Sequence, residues 1–102
     1  MKEEKRTLVD ISNVRIKEYD GMNVVVERYE SVFVPKDQQT IKKWVFKGYS
    51  RSVLSALLKI QKDELLIDKK IVSDLGTYLG AVEKSNNELL EVVKTHEPTT
   101  NL

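Results

Sequence analysis

Apolar and charged residues alternate along the first half of the chain, which is the pattern of strands with one buried face. From residue 13 to residue 19, the apolar Val14 and Ile16 fall on one side and basic residues on the other. This alternation predicts a half-buried strand. The dipeptide Asp20-Gly21 that follows is typical of hairpin turns, so the next strand is expected to run back antiparallel.

Two further strands are predicted before the middle of the chain. A run rich in β-branched and aromatic residues extends from Met22 to about Val34, and its alternation slips near Arg28, where we expect a bulge or bend. After a polar loop, residues 41–49 form the third strand. Its alternation places Trp44 and Phe46 on one face and Lys43, Val45 and Lys47 on the other. We expect the two aromatic residues to pack beneath the helices.

The period changes from two to about 3.6 residues after Ser50, which predicts helices. Ser50 or Ser52 is placed to cap the first helix. A second helix is predicted to start after Ser73, and a capping-box pattern at Ser85 leaves open a break there. Six apolar residues between positions 51 and 66 share the stripe of the first helix: Val53, Leu54, Ala56, Leu57, Leu58 and Ile60.

These elements predict an α+β fold in the order β-β-β-α-α, with two helices packed on one face of a three-stranded antiparallel sheet. We expect residues 1–12 to form a mobile N-terminal arm, residues 13–94 a single α+β domain, and residues 95–102 a flexible C-terminal tail. A chain of 102 residues is the size of one compact domain.

The amino-acid composition indicates in which compartment the protein is expected. The chain has no cysteine, which fits a reducing compartment. Its start is charged rather than apolar, so no signal peptide is expected, and no apolar run approaches the roughly 20 residues that a membrane span needs. We therefore expect a cytoplasmic protein that does not bind membranes.

No catalytic constellation is visible, so we expect the chain not to be an enzyme. The single histidine, His96, falls in the predicted tail with only Glu97 beside it, which is no metal site and no acid–base pair. Glycine-rich phosphate loops and nucleophile motifs are absent. No catalytic residue, metal or cofactor is predicted.

Charge is distributed unevenly along the chain and points to a binding surface. Residues 36–70 carry nine basic and four acidic side chains, whereas residues 71–102 carry two and five. Basic residues on the third strand and on the outer side of the first helix would form a patch that contacts phosphates if these elements adjoin; the alternative is a solvated polar face. The candidate binding patch comprises Lys43, Lys47, Tyr49, Arg51, Ser55, Lys59 and Lys62.

The sequence Gly48-Tyr49-Ser50, followed by a helix containing Val53-Leu54-x-Ala56-Leu57 and a second amphipathic helix, resembles small proteins encoded by phages and mobile elements of Gram-positive bacteria. The resemblance covers residues 13–94 and implies a β-sheet, a Gly-Tyr corner and two helices, in a protein located in the cytoplasm of a bacterial host cell. Some proteins of this size and setting are anti-CRISPR inhibitors, so it also implies a non-enzymatic inhibitor as a candidate. Many such inhibitors are acidic mimics of DNA, which this chain is not.

Three functions therefore remain open from the sequence. The first is a phage or mobile-element accessory protein that acts by protein binding, with a host defence nuclease such as a CRISPR effector as partner. The second is a small protein that binds RNA or single-stranded DNA through the basic patch. The third is an interaction module that forms a homodimer through its helices or a sheet edge.

Overall fold

The computed structural model describes residues 5–96 and shows an α+β fold in which an antiparallel sheet is followed by two helices. The strands form a meander in the order β1-β2-β3-β4, so every strand pairs with its neighbour in sequence. The elements are β1 (Thr7–Ile11), β2 (Val14–Glu18), β3 (Val24–Val34), β4 (Gln39–Ser50), α1 (Val53–Lys62) and α2 (Leu75–His96).

The sheet has four strands, so the prediction of three is wrong. The additional strand, β1, lies within the range predicted as an N-terminal arm, and its Val9 and Ile11 are buried opposite Ile16 and Val14 of β2. A register shift between Thr7 and Val9 interrupts the period-two pattern. Because β1 is only five residues long, this interruption left too little alternation to indicate a strand.

The hairpin predicted at Asp20-Gly21 is confirmed, because Glu18 of β2 pairs with Val24 of β3. The turn is held by the Asp20 side chain, whose Oδ1 accepts hydrogen bonds from the backbone N–H groups of Met22 (2.8 Å) and Asn23 (2.7 Å). Gly21 does not use a positive φ here.

The core lies between one face of the sheet and the two helices. Trp44 and Phe46 are outside it, so the prediction that they pack beneath the helices is wrong. Alternation along β4 shows which of its residues share a face. Which of the two faces the helices cover is decided by the register of β4 in the sheet with β2 and β3. The main buried cluster consists of Val9, Ile11, Val14, Ile16, Val26, Ala56, Leu57, Ile60 and Leu89.

Strand register places Arg28 on the helix side, opposite Val45 of β4. Its guanidinium donates from Nε to the carbonyl oxygen of Leu65 (2.6 Å) and from Nη2 to that of Ile67 (3.3 Å). The segment after α1 is thereby tied to the sheet, and Trp44, adjacent to Val45, points to the opposite face.

The helix boundaries follow their caps. Ser52 caps α1, as one of the two predicted alternatives, and its hydroxyl accepts from the N–H of Ser55 at 3.0 Å. Asp74, rather than Ser73, caps α2 through a 2.7 Å hydrogen bond from the N–H of Thr77 to the Asp74 side chain.

The helix α2 runs unbroken past Ser85, which is buried, so the break left open by the sequence is absent there. Thr95 and His96, predicted as tail, are its last residues, while residues 97–102 lie outside the described range.

Candidate functional site: the open face of the sheet

The face of the sheet that the helices leave uncovered carries a row of aromatic side chains. Tyr29 of β3 is directly opposite Trp44 of β4, and opposed residues of an antiparallel pair project to the same side. We call this surface the aromatic face; it is formed by Tyr19, Tyr29, Trp44, Phe46 and Tyr49.

A β-bulge brings the last two of these residues together. Phe46 and Tyr49 are three positions apart, so regular alternation would place them on opposite faces. The register shifts by one residue between Val26 and Glu27, which leaves Lys47 as the extra residue of β4. Gly48 absorbs the change with a φ of +146°, a conformation that side chains with a Cβ rarely adopt.

The rings contact one another in two groups. The centroid of Tyr49 lies 4.8 Å from that of Tyr19 and 4.9 Å from that of Phe46, while Tyr29 and Trp44 are 5.2 Å apart. All three pairs are tilted by 53–59°, as expected for edge-to-face packing. Phe46 and Tyr49 nevertheless remain 52% and 53% exposed, so a large apolar area faces the solvent.

Basic side chains border the aromatic face. The guanidinium carbon of Arg15 lies 3.9 Å from the centroid of the Trp44 ring, a cation–π contact. Its Nε also donates to Glu27 at 2.7 Å, so the charge of Arg15 is compensated within the chain. Lys42 extends toward the ring of Tyr29, with its ammonium nitrogen 5.7 Å from the centroid.

The predicted basic patch is distributed over more than one surface. Lys47 lies on the helix side of the sheet, where it forms a 3.0 Å salt bridge to Glu30. That hydrogen bond is the main reason why the pKa of Glu30 lies below its ordinary value, and Arg28 lowers it further. Lys59 pairs with Asp63 at 2.9 Å and runs so close to Gly48 that a Cβ there would be 2.6 Å from its Cε.

The other members of the patch do not complete one surface. Tyr49 belongs to the aromatic face, on the side of the sheet away from Lys47. Arg51, Ser55 and Lys62 are exposed at or on α1, and Lys43 is exposed on β4 opposite Glu30. The structure therefore places Lys59 against Gly48, next to Lys47 in the chain, but directs the two lysines to different carboxylates and separates Tyr49 from both.

Sequence reasoning missed the contributions of Arg15, Tyr19 and Tyr29 to this site. Alternation in β2 had already placed Arg15 on the outer face, which was the available signal. Recognising the aromatic face also required the register of β3 against β4 and the bulge in β4, and neither can be deduced from alternation alone.

Two other kinds of functional feature, metal sites and membrane-spanning helices, were also considered in the described part of the chain. Within residues 5–96, no group of three His, Asp or Glu side chains is arranged to hold a metal ion. None of the helices in this range combines the length and the apolar character needed to cross a membrane. Searches with this chain found no matching family model, no matching curated protein and no matching solved structure.

Proposed function

We propose that this chain is a non-catalytic binding protein whose aromatic face contacts a protein partner. The observation that carries the proposal is the exposure of tyrosine, phenylalanine and tryptophan side chains on the uncovered side of the sheet, bordered by Arg15. Tyrosine, tryptophan and arginine are the residues most enriched among those that dominate protein–protein binding energy.

The extent of the aromatic face supports this assignment. Fully buried aromatic side chains each cover about 150–250 Å², so five partly exposed ones present on the order of 400 Å². A contiguous apolar patch of that size is at the level of the largest patch on a typical monomer, which is often functional. Val25 projects to the same side of the sheet and is buried beneath the rings, where it lies opposite Lys17 and Tyr49.

Charge favours a protein partner over a nucleic acid. Binding to phosphates needs basic groups that can release counterions to solvent. At the aromatic face, Arg15 is paired with Glu27 and Lys42 extends toward the ring of Tyr29. In the predicted patch, Lys47 and Lys59 are paired with carboxylates, and the exposed basic residues Lys43, Arg51 and Lys62 lie away from the aromatic face. The ring of Trp44 is also covered by Arg15 on one side, and a stacking base would have to displace that contact.

The narrower form of the proposal follows from the resemblance of the sequence to phage and mobile-element proteins. In this form, the partner is a host defence nuclease of the bacterial cytoplasm, such as a CRISPR effector, and the chain inhibits it by occluding a surface. The alternatives are a small protein that binds RNA or single-stranded DNA, and an interaction module that forms a homodimer.

A double substitution tests the aromatic face. Phe46→Asp with Tyr49→Asp places two charges in its centre. Ile71→Ser serves as control, because it removes an apolar side chain that is even more exposed, in the connection between the helices. The tagged proteins are used to capture partners from bacteria carrying defence nucleases, with quantitative mass spectrometry. We expect one protein to be retained by the wild type and by the control, and lost with the double variant.

Two further measurements separate the alternatives. Addition of the chain to a guide-loaded nuclease should reduce target cleavage if the narrower form is correct, and the double variant should not. A labelled single-stranded oligonucleotide should show no steep, salt-dependent binding. If such binding occurs and is lost in the double variant, the nucleic-acid alternative replaces the proposal.

A further inference from the structure

The outer edge of β4 is the longest unpaired strand edge of the described sheet. β4 is an outermost strand in the order β1-β2-β3-β4 and pairs only with β3, so the backbone N–H and C=O groups along its other side have no strand of residues 5–96 to bond. The bulge at Lys47, with Lys59 packed beside Gly48, marks the end of the regular edge. Residues 39–46 therefore form its accessible part, which we call the β4 edge.

The opposite edge of the sheet is less suited to pairing with another chain. β1 has only five residues, and a register shift between Thr7 and Val9 interrupts it. Short and irregular edge strands are a common means of preventing strand addition. The β4 edge is longer, and it contains no proline and no register shift between Gln39 and Phe46. It therefore offers a regular template for an added strand.

β4 contributes only basic charges to this edge. The strand contains three lysines and no acidic residue. Lys47 is compensated by its salt bridge to Glu30, whereas Lys42 and Lys43 are exposed and form no salt bridge within residues 5–96. Alternation directs these two neighbours to opposite sides of the sheet, Lys42 to the aromatic face and Lys43 to the helix side. A strand added at this point has an ammonium group beside each of its faces.

The acidic side chains of β3 do not neutralise these two lysines. Glu27 is paired with Arg15 at 2.7 Å. Glu30 lies opposite Lys43 in the register, but its carboxylate is shared between Lys47 at 3.0 Å and Arg28 at 3.2 Å. Two basic groups thus already bind the carboxylate that is closest to Lys43 in the sheet.

The surroundings of the ribbon add no net negative charge. In the β3–β4 turn, Asp37 is preceded by Lys36. Asp68 lines the same cleft as Lys42, where Lys70 accompanies it. Between residues 28 and 47 the chain carries five basic and two acidic side chains, so the ribbon attracts acidic groups.

We propose that the β4 edge binds an extended segment of a protein partner, which adds a strand to the sheet and carries acidic residues opposite Lys42 and Lys43. This inference rests on the proposed function, since it specifies how the partner of the aromatic face is held. In strand addition, main-chain hydrogen bonds supply affinity and the side chains at alternate positions supply specificity. Beyond its acidic residues the segment runs alongside Trp44 and Phe46, where its apolar side chains pack against the exposed ring of Phe46.

A second copy of β4 is a poorer occupant of this edge. It would bring three more lysines and no acidic residue to the contact, and like charges on adjacent strands are destabilising. Lysines on an edge strand are a common device against self-association. The same charges favour an acidic segment from another protein.

Selection from a phage-displayed library of random heptapeptides, with the full chain as target, tests the proposal. We expect enrichment of sequences that have two neighbouring acidic residues, have β-branched or aromatic residues beside them, and lack proline. A library that yields no enriched peptide, or only peptides without acidic residues, overturns the proposal.

Variants of the chain locate the contact of the synthesised peptide. Lys42→Glu with Lys43→Glu should weaken binding at least about tenfold, because like charges are brought together, and exchange of the peptide's acidic residues for lysine should restore it. Lys62→Glu with Lys94→Glu makes the same change in net charge at exposed positions of the helices. This control should stay within about twofold of the wild type, since salt screens distant charges. Fluorescence anisotropy measures all affinities; equal weakening in both variants overturns the proposal.

Methylation of the peptide's backbone nitrogens tests strand addition itself. Only every second N–H of an added strand bonds to its neighbour. Methylation at one set of alternate positions should therefore lower the affinity at least about tenfold, because main-chain hydrogen bonds are lost, while methylation at the other set is tolerated. Equal effects of the two sets would show that the peptide is not held as a strand, which contradicts the proposal.

The β4 edge and the aromatic face can fail separately. If Lys42→Glu with Lys43→Glu still retains the cellular partner that Phe46→Asp with Tyr49→Asp loses, the proposed function stands and the edge proposal falls. Sedimentation velocity tests the other occupant: a wild-type dimer whose stability changes in the lysine variant assigns the edge to a second copy and overturns the proposal. Circular dichroism of each variant verifies that the fold is retained.

Discussion

Gly48 is the residue on which the arrangement of the aromatic face depends most directly. Its φ of +146° allows β4 to accommodate an extra residue, and that extra residue turns Tyr49 to the same side as Phe46. The side chain of Lys59 packs over the space where a Cβ would be. Backbone conformation at a single position thus sets the composition of the aromatic face.

Replacement of Gly48 by alanine is expected to destabilise the protein by about 1–3 kcal/mol, the range for a non-glycine residue held in a sparsely populated conformation. The Lys59 side chain can move aside, so backbone strain accounts for most of the loss. Urea denaturation followed by circular dichroism measures the change.

Gly21→Ala is the matched control for this substitution. Gly21 has no positive φ, and no atom lies within 4 Å of the position of its Cβ, so its replacement should change the free energy of unfolding by less than about 0.5 kcal/mol. Equal effects of the two substitutions would contradict the role assigned to the bulge.

At the level of single elements, the outer part of the β3–β4 hairpin differs from the rest of the sheet because no third strand among the described residues pairs with it. β2 pairs with β3 as far as Arg28, and the N–H of Tyr29 donates to the carbonyl oxygen of Asn13 at 2.7 Å. Beyond this point, residues 30–34 and 39–43 pair only with each other. Two-stranded ribbons without a third strand are marginally stable in water. Two of the five residues of the aromatic face, Tyr29 and Trp44, lie at the base of this ribbon.

Amide hydrogen exchange should report this difference within one strand. We expect faster exchange in residues 30–34 than in residues 24–28, because the distal ribbon can open without disturbing the core. Binding of a partner to the aromatic face should slow exchange near Trp44. Uniform protection along β3 in the free protein would contradict the interpretation of the ribbon as a separately opening unit.

The start of α2 depends on a charged cap, which makes it sensitive to pH. The N–H of Thr77 donates to the Asp74 carboxylate and thereby lowers the pKa of Asp74. A lowered pKa in the folded state means that the stabilisation is present above the pKa of unfolded aspartate. It is lost as the pH falls through the lower, folded value.

Asp74→Ala is therefore expected to reduce the free energy of unfolding at neutral pH, and the difference from wild type should shrink in acid. Asp74→Asn keeps a good cap without the charge, so it should be more stable than the alanine variant and should lack the pH-dependent contribution. Thermal unfolding at several pH values compares the three proteins. A Ser73→Ala variant with the larger effect would assign the cap to Ser73 instead.

On the scale of the whole molecule, Arg28 links parts of the chain that are distant in sequence. From the sheet, its guanidinium reaches the carbonyl oxygens of Leu65 and Ile67 in the segment after α1, and it also contacts Glu30. The planar arrangement of donors in arginine allows it to serve several acceptors at once, which an ammonium group cannot reproduce.

Arg28→Lys should consequently lower the free energy of unfolding by about 1–3 kcal/mol, since bonds from a charged donor to partly buried carbonyl groups are lost. Arg6→Lys is the control, because Arg6 forms an exposed pair with Glu18 and should have little effect. Chemical denaturation measures both. A loss in Arg28→Lys no larger than in the control would show that the segment after α1 is held by its apolar contacts alone.

Much of the fold could be predicted because it follows from local patterns. Alternation located β2, β3 and β4, the Asp20-Gly21 dipeptide located a hairpin, and helical periodicity located α1 and α2. The first strand was missed because a bulge interrupts a five-residue element. The basic residues of the candidate patch could be named, but not their salt bridges to Glu30 and Asp63, since such pairs form between elements or depend on side-chain direction.

The sequence by itself determined which residues of a strand share a face and where helices begin to be favoured, because these depend on the chain's own periodicity and capping groups. Only the tertiary structure decided which face of β4 the helices cover. That choice follows from the register of β4 with β3 and from the burial of Val14, Ile16 and Val26 on the opposite side of the sheet from Trp44. Because burial depends on all the strands together, the aromatic face can be identified only from the assembled sheet.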